Sequence, residues 1–235
     1  MGKDKIYKVE NSVNIGMLPG DPKGLPDESF FIQSGKETLV FIDDGFLAKL
    51  NKHFGSGKYI KFDKLAFSEN LAIKQGLNFK HVFYYTAPPF QGKFPTEEEE
   101  EMKRGYDRFI AKLKEDKRIT IREGRVQRLK VDGKFLYKQK AVDSLAIIDL
   151  MMVPLKYAQI KKIIIISSDS DFVPAIETLK EFGIKTILYT FYQRKRNTGF
   201  SRSNHLIKSV HKYVLLSKAD FDNAPLIKDK GKHKI

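Results

Sequence analysis

Apolar residues along this chain gather into short runs that end in carboxylates. Four consecutive isoleucines, Ile163 to Ile166, stop at Ser167-Ser168 and open onto Asp169-Ser170-Asp171. A run that is apolar at every position predicts a strand buried on both faces, as in a parallel sheet covered by helices. Residues 172–182 then take up a helical spacing. The same pattern occurs earlier, where Thr38-Leu-Val-Phe-Ile ends at Asp43-Asp44-Gly45 and a helical segment runs from Phe46 to His53. Between these two stretches, Leu65, Ala66, Leu71 and Ala72 predict a helix over 63–75. The β-branched and aromatic residues of 79–86 predict a strand closed by Pro88-Pro89. Thr96 and the acidic run Glu97 to Glu101 suit the positive end of a helix carried to about Lys114. Residues 119–138 alternate as strands, with a hairpin turn at Val131-Asp132-Gly133-Lys134. An apolar helix starts near Lys140 and is interrupted by Asp143 and Asp149. Gly183 ends the helix after Asp171, and a buried strand, a basic loop, a short helix and a last strand follow to about 216. The first residues, broken by Pro19, Gly20, Pro22, Gly24 and Pro26, show little periodicity. The chain thus divides into an extension at 1–37, a domain at 38–218 and a basic tail at 219–235.

Alternating strands and helices predict an α/β domain with a parallel sheet and helices on both faces. Parallel strands share their carboxyl ends, so Asp43, Asp169 and Asp171 open at one edge, where such sheets bind ligands. A single aspartate there would be explained as a helix cap, but capping needs one residue and not two. Asp143 shares a helix face with Ala146, Ile147 and Leu150, an expensive place for a carboxylate unless it meets a partner or a cation. Asp149 lies about 240° round the same helix and cannot point at the same site. Asp143 is therefore preferred, with Asp149 and Asp44 as second choices. Carboxylates about 4 Å apart repel by roughly 1 kcal/mol in water and about 4 kcal/mol in a protein-like dielectric. A hard cation removes the conflict, and Mg²⁺ or Mn²⁺ takes oxygen ligands while sharing substrate phosphates.

Charge changes the picture further. The 235 residues carry a formal net charge of +14, with eleven Lys/Arg against three Asp from Phe191 onward. Such a surface attracts polyanions, nucleic acid above all, although lysine-rich solubility is the plainer reading. Arg122, Arg125, Arg128 and Lys140 in the hairpin region, and Arg194, Lys195, Arg196 and Arg202 in the basic loop, are the candidate phosphate contacts. A basic rim around an acidic pocket suits a metal that activates water against a phosphate held by that rim. The absence of cysteine excludes disulfides and thiolate metal sites. No apolar run approaches the roughly 20 residues of a membrane span, and the first residues lack the apolar block of a signal peptide. These features favour the cytoplasm and no membrane partner; a homo-oligomer is compatible with them.

Phe-Ile-Asp43, Lys140-x-Val-Asp143 and Ser167-Ser-Asp169-Ser-Asp171-Phe-Val-Pro174 together resemble the NYN domain, the PIN-like nuclease group that includes the LabA-like proteins. The resemblance covers roughly 38–218. It implies a PIN-like three-layer α/β/α sandwich with a mostly parallel central sheet. It further implies metal-dependent ribonuclease activity, with Asp43, Asp143, Asp169 and Asp171 as catalytic and metal-binding residues. RNA, as opposed to DNA, is implied by the resemblance alone. The Asp-Gly-x-Asn often found in the family is here Asp43-Asp44-Gly45-Phe46, which has no asparagine and one more carboxylate. Two other readings stay open. Asp169-Ser-Asp171-Phe-Val173 also fits the signature of haloacid-dehalogenase-like phosphatases, but there it lies on the first strand with its partners downstream, and here the order is reversed. An RNA-binding or scaffold domain with little catalysis would keep the fold, although retained carboxylates do not help a phosphate binder.

Overall fold

The structure, a computed structural model, describes residues 36–193 and 199–226. All but the end of the expected N-terminal extension therefore lies outside the described residues, as do Arg194, Lys195 and Arg196 and the tail beyond 226.

Six parallel strands form the central sheet in the order β3-β2-β1-β6-β7-β8. They are β1 (Glu37–Asp43), β2 (Asn78–Thr86), β3 (Ile119–Glu123), β6 (Lys162–Ile166), β7 (Lys185–Thr190) and β8 (Lys212–Leu215). The two unbroken apolar runs are the two central neighbours, paired from Thr38 opposite Lys162 to Ile42 opposite Ile166. Leu39, Val40, Phe41 and Ile42 are buried, as are Ile163 to Ile166, which is why neither run alternates.

Side chains alternate between two core layers. Val40, Ile42, Tyr84, Ile164 and Ile166 face one layer with Phe46, Leu47 and Leu50 of α1 (Asp44–Phe54) and Phe67 and Leu71 of α2 (Lys64–Ile73). Leu39, Phe41, Tyr85, Ile163 and Ile165 face the other. There they meet Ala146, Leu150 and Val153 of α4 (Val142–Lys156) and Ile176 and Leu179 of α5 (Val173–Glu181). The long helix α3 (Glu97–Leu113) starts on a capping box in which Thr96 and Glu99 exchange side-chain-to-backbone bonds, and only Ile110 of it is buried. The architecture is a three-layer α/β/α sandwich, and its central sheet is parallel throughout.

Two further short helices close the body: α6 (Asn204–Ser209) and α7 (Lys218–Asp222). The expected tail boundary at residue 219 falls inside α7. Phe221 is fully buried, its ring 5.7, 4.9 and 5.1 Å from those of Phe54, Phe62 and Phe67. Burying such a ring is worth about 2–3 kcal/mol, so the packed body continues through this helix.

The remaining strands, β4 (Arg125–Val131) and β5 (Lys134–Lys140), form a separate antiparallel hairpin. Its turn is Asp132-Gly133, both at positive φ, the conformation that matches strand twist in a two-residue hairpin. Every residue of β5 is exposed. A single residue, Ala141, joins β5 to α4, and it sits at φ 68 in the left-handed region without a side-chain cap. For a residue with a Cβ that conformation costs about 1–2 kcal/mol. Gly124 lets the base of the hairpin close on this junction: a Cβ there would lie 2.5 Å from the Lys140 carbonyl oxygen and 2.6 Å from Val142.

Candidate active site

The chain runs β1-β2-β3 to one side of β1, then returns to its other side for β6, β7 and β8. The sheet order therefore reverses between β1 and β6, and the carboxyl edge at such a switch point opens as a crevice. Asp43 ends β1, and Ser167 to Asp171 follow β6.

Asp43 has extended backbone and caps α1, its Oδ1 accepting from the Phe46 N–H at 3.1 Å. Its Oδ2 accepts from Ser167 Oγ at 2.8 Å. Ser167 is fully buried, and its Oγ in turn accepts from the Asp169 N–H at 3.1 Å. Asp169 caps the 3₁₀ turn Ser170–Phe172, accepting from the Asp171 N–H at 2.9 Å. One hydroxyl thus ties the end of β1 to the turn after β6. Ser167 is the positioning residue that a reading of charges alone passes over; the signal available was its place two residues before Asp169. Gly45 keeps this corner open, since a Cβ there would stand 3.2 Å from Asp43 Oδ1 and 3.3 Å from Gln139 Oε1.

Electrostatics join the four aspartates. Burial pushes the Asp43 carboxyl up to about 6, the Phe46 and Ser167 hydrogen bonds hold it down, and repulsion from Asp143 and Asp44 adds to the rise. Asp143, half-buried in the first turn of α4, is raised by burial and then by Asp169 and Asp171. Asp171 itself is exposed. Among the described residues, none of these four forms an ion pair with a basic side chain.

The second-choice aspartates do have partners. Asp149 is 8% exposed and takes a two-pronged contact from Arg122, 2.8 Å from Nε and 2.7 Å from Nη2, plus the Tyr85 hydroxyl at 3.1 Å. Arg122 is therefore held against α4 by its carboxylate partner. Asp44 lies on the other side of the strand end, accepting from the Tyr84 hydroxyl and, at 3.0 Å, from Thr86 Oγ1.

The other basic candidates separate similarly. The Arg128 guanidinium lies 4.5 Å from the Phe90 ring and 4.6 Å from that of Phe135, with Glu99 at 3.8 Å. Arg125 and Lys140 face each other across the hairpin base, both exposed, next to the start of α4. Arg202 lies 5.2 Å from the Tyr192 ring.

Among the described residues, no group of three or more His, Asp or Glu side chains is arranged as a ready-made metal cage. The acidic edge nevertheless fits a hard cation. It offers only oxygen donors, it repels itself, and among the described residues it has no counter-charge. Mg²⁺ typically needs only one or two protein carboxylates, with water and phosphate completing its shell. Asp43, Asp143, Asp169 and Asp171 are the residues that would hold such an ion. No described helix is long and apolar enough to cross a membrane.

No curated protein matches the chain. A crystal structure of a protein of unknown function from Vibrio parahaemolyticus is similar at a TM-score of 0.49 and 14% identity, over 80% of this chain and 96% of that one. The family model for the NYN domain matches residues 61–216, starting after β1 and Asp43 and including the other three aspartates. With more than half of its length matched, the chain belongs to the NYN domain family, whose members are generally nuclease-like.

Proposed function

We propose that this protein is a Mg²⁺- or Mn²⁺-dependent ribonuclease that hydrolyses RNA phosphodiester bonds at Asp43, Asp143, Asp169 and Asp171. One observation carries the reading: at the sheet's switch point, side chains from three separate elements bring negative charge together with no basic partner among the described residues. A bound divalent ion supplies an activated water and a positive charge beside the scissile phosphate. The chain's own part is positioning. Ser167 fixes Asp43 relative to Asp169, and the turn at Ala141 delivers Asp143 from below the hairpin. Arg125 and Lys140 are exposed where an incoming phosphate backbone would pass the acidic edge. In this reading Arg194, Lys195, Arg196 and Arg202 supply further phosphate contacts. The protein works in the cytoplasm on RNA.

The lack of a ready-made cage among the described residues favours one alternative, an RNA-binding or scaffold domain with little catalysis. Incubation with labelled single-stranded RNA and DNA of one sequence, with Mg²⁺, with Mn²⁺ and with chelator, separates the two. The nuclease cuts RNA only when metal is present. RNA that is bound but intact under all three conditions would establish the binding module instead.

A further inference from the structure

On the opposite side of the β1 end from Asp43 lies a cavity of about 880 Å³. Its volume is in the range that encloses a small organic ligand. Tyr59 and Phe109 stand at its rim, 64% and 38% exposed, and Asp44, Lys64 and Tyr84 line it more deeply. We propose that this cavity is a guanine-binding subsite that reads one unpaired base of the RNA bound at the acidic edge, an inference that rests on the RNA reading above.

The argument begins with hydrogen-bond valence. Asp44 accepts the Tyr84 hydroxyl on Oδ1 and the Thr86 hydroxyl on Oδ2. Each carboxylate oxygen has room for a second donor, so among the described residues two acceptors remain side by side. The two hydroxyls also fix the carboxylate's orientation. Among the four RNA bases, guanine alone presents two adjacent donors on its Watson–Crick edge, N1–H and N2–H. Adenine and cytosine present an acceptor beside a single amino group, and uracil's single N–H is flanked by carbonyls that a carboxylate repels.

Guanine's third group on that edge is the O6 acceptor, which calls for a donor near the carboxylate. Lys64 supplies one. Its Nζ lies 3.4 Å from the centre of the Phe62 ring and 5.9 Å from that of Phe109, and among the described residues it donates no hydrogen bond. Burial pushes this ammonium down to about 8, against the pull of Asp44 and Asp63, so it is still charged at neutral pH. An acceptor pair, a spare ammonium and rim aromatics combine edge recognition with a stacking surface, the way single-stranded RNA is read.

Titration calorimetry of the whole chain with 5′-GMP, 5′-IMP and 5′-AMP, all in chelator, tests this without any cleavage. GMP should bind at least about tenfold more tightly than IMP, which lacks the N2 amino group, because one hydrogen bond to a charged group is lost. AMP should be weaker than IMP. Asp44→Asn, which turns one acceptor into a donor while keeping one for Tyr84, should abolish the GMP advantage over IMP. Tyr59→Ala at the exposed rim should weaken all three nucleotides by a similar factor and leave their order intact. Equal affinities for GMP and AMP in the unmodified protein, or a GMP preference that survives in Asp44→Asn, would overturn the subsite. Metal-dependent RNA cleavage alongside equal nucleotide affinities would remove the subsite and leave the nuclease. A GMP preference in a protein that never cuts RNA would do the reverse.

Discussion

Asp149 and Asp43 belong to the same side of one sheet, and the fold treats them in opposite ways. Asp149 is sealed into the layer between β2, β3 and α4, with a guanidinium on both oxygens and a tyrosine hydroxyl as a third donor. Among the described residues, Asp43 has only neutral donors, a backbone N–H and a serine hydroxyl, and its charged neighbours are other carboxylates. A buried carboxylate without a counter-charge is costly. Among the described residues, that counter-charge is present at Asp149 and missing at the switch point. What the contrast teaches is that the repulsion around Asp43 is specific to the edge and is not a general tolerance of buried charge.

The largest effect expected from breaking this contrast is on catalysis. Asp171→Asn keeps the size of an exposed side chain but removes the charge a hard cation needs. RNA cleavage should fall at least about a hundredfold, equivalent to roughly 2.7 kcal/mol in the barrier. RNA affinity should persist, and melting without metal should be unchanged or higher. If Asp171 did nothing beyond its place in the turn, asparagine would leave metal-dependent cleavage at full rate, and that result would sink the assignment.

Arg122→Ala probes the satisfied partner. Removing one side of a buried pair costs about 3–5 kcal/mol when both groups are fully buried. Arg122 is 42% exposed, and water and salt screen part of its charge. A loss of about 2 kcal/mol is expected, lowering the thermal midpoint by about 4–8 °C. Binding of RNA well below that midpoint should hardly change, since the guanidinium is held by Asp149. An unchanged midpoint with weakened RNA binding would return Arg122 to the phosphate-contact role.

The smallest effect has the clearest pH signature. The folded-state value of Asp43, about 6, lies above the ordinary 3.8. Its charged form therefore costs the folded protein in full above pH 6, progressively less as pH falls toward 3.8, and nothing below that. Asp43→Asn should stabilise the metal-free protein at pH 7 by about 1 kcal/mol, after allowance for a weakened contact with Ser167, and the gain should vanish by about pH 4. Denaturant titrations at the two pH values measure it. A gain of equal size at both would show that Asp43 is not the group being relieved.

Features fixed by local pattern were legible in the sequence. The unbroken runs at 39–42 and 163–166 marked the two central strands and the carboxylates at their ends, because burial on both faces removes alternation. Thr96 with the acidic run Glu97 to Glu101 marked the start of α3, and Asp132-Gly133 marked the hairpin turn. What stayed hidden depends on elements that meet only in three dimensions. Arg122 and Asp149 pair because β3 lies beyond β2 on the side that α4 covers, and no spacing of 27 residues announces that. Arg128 is a candidate phosphate contact by its charge, and the ring contacts it makes with Phe90 and Phe135 and its approach to Glu99 could not be read from spacing. The helix α7 shows one apolar anchor, Phe221, too few to reveal a periodicity. Ser167 reads as the end of a strand until its hydroxyl is seen bridging Asp43 and the Asp169 backbone.

The junction at Ala141 links two parts of the molecule mechanically. With one residue between β5 and α4, and Gly124 closed tightly beneath it, the linkage has almost no slack. The hairpin is in effect a handle seven residues long on each strand, and the first turn of α4 is its axle. Only Ala141 and Val142 separate the last residue of the hairpin, Lys140, from Asp143. Under the proposed function, a nucleic-acid strand held by the hairpin would bear directly on where Asp143 sits.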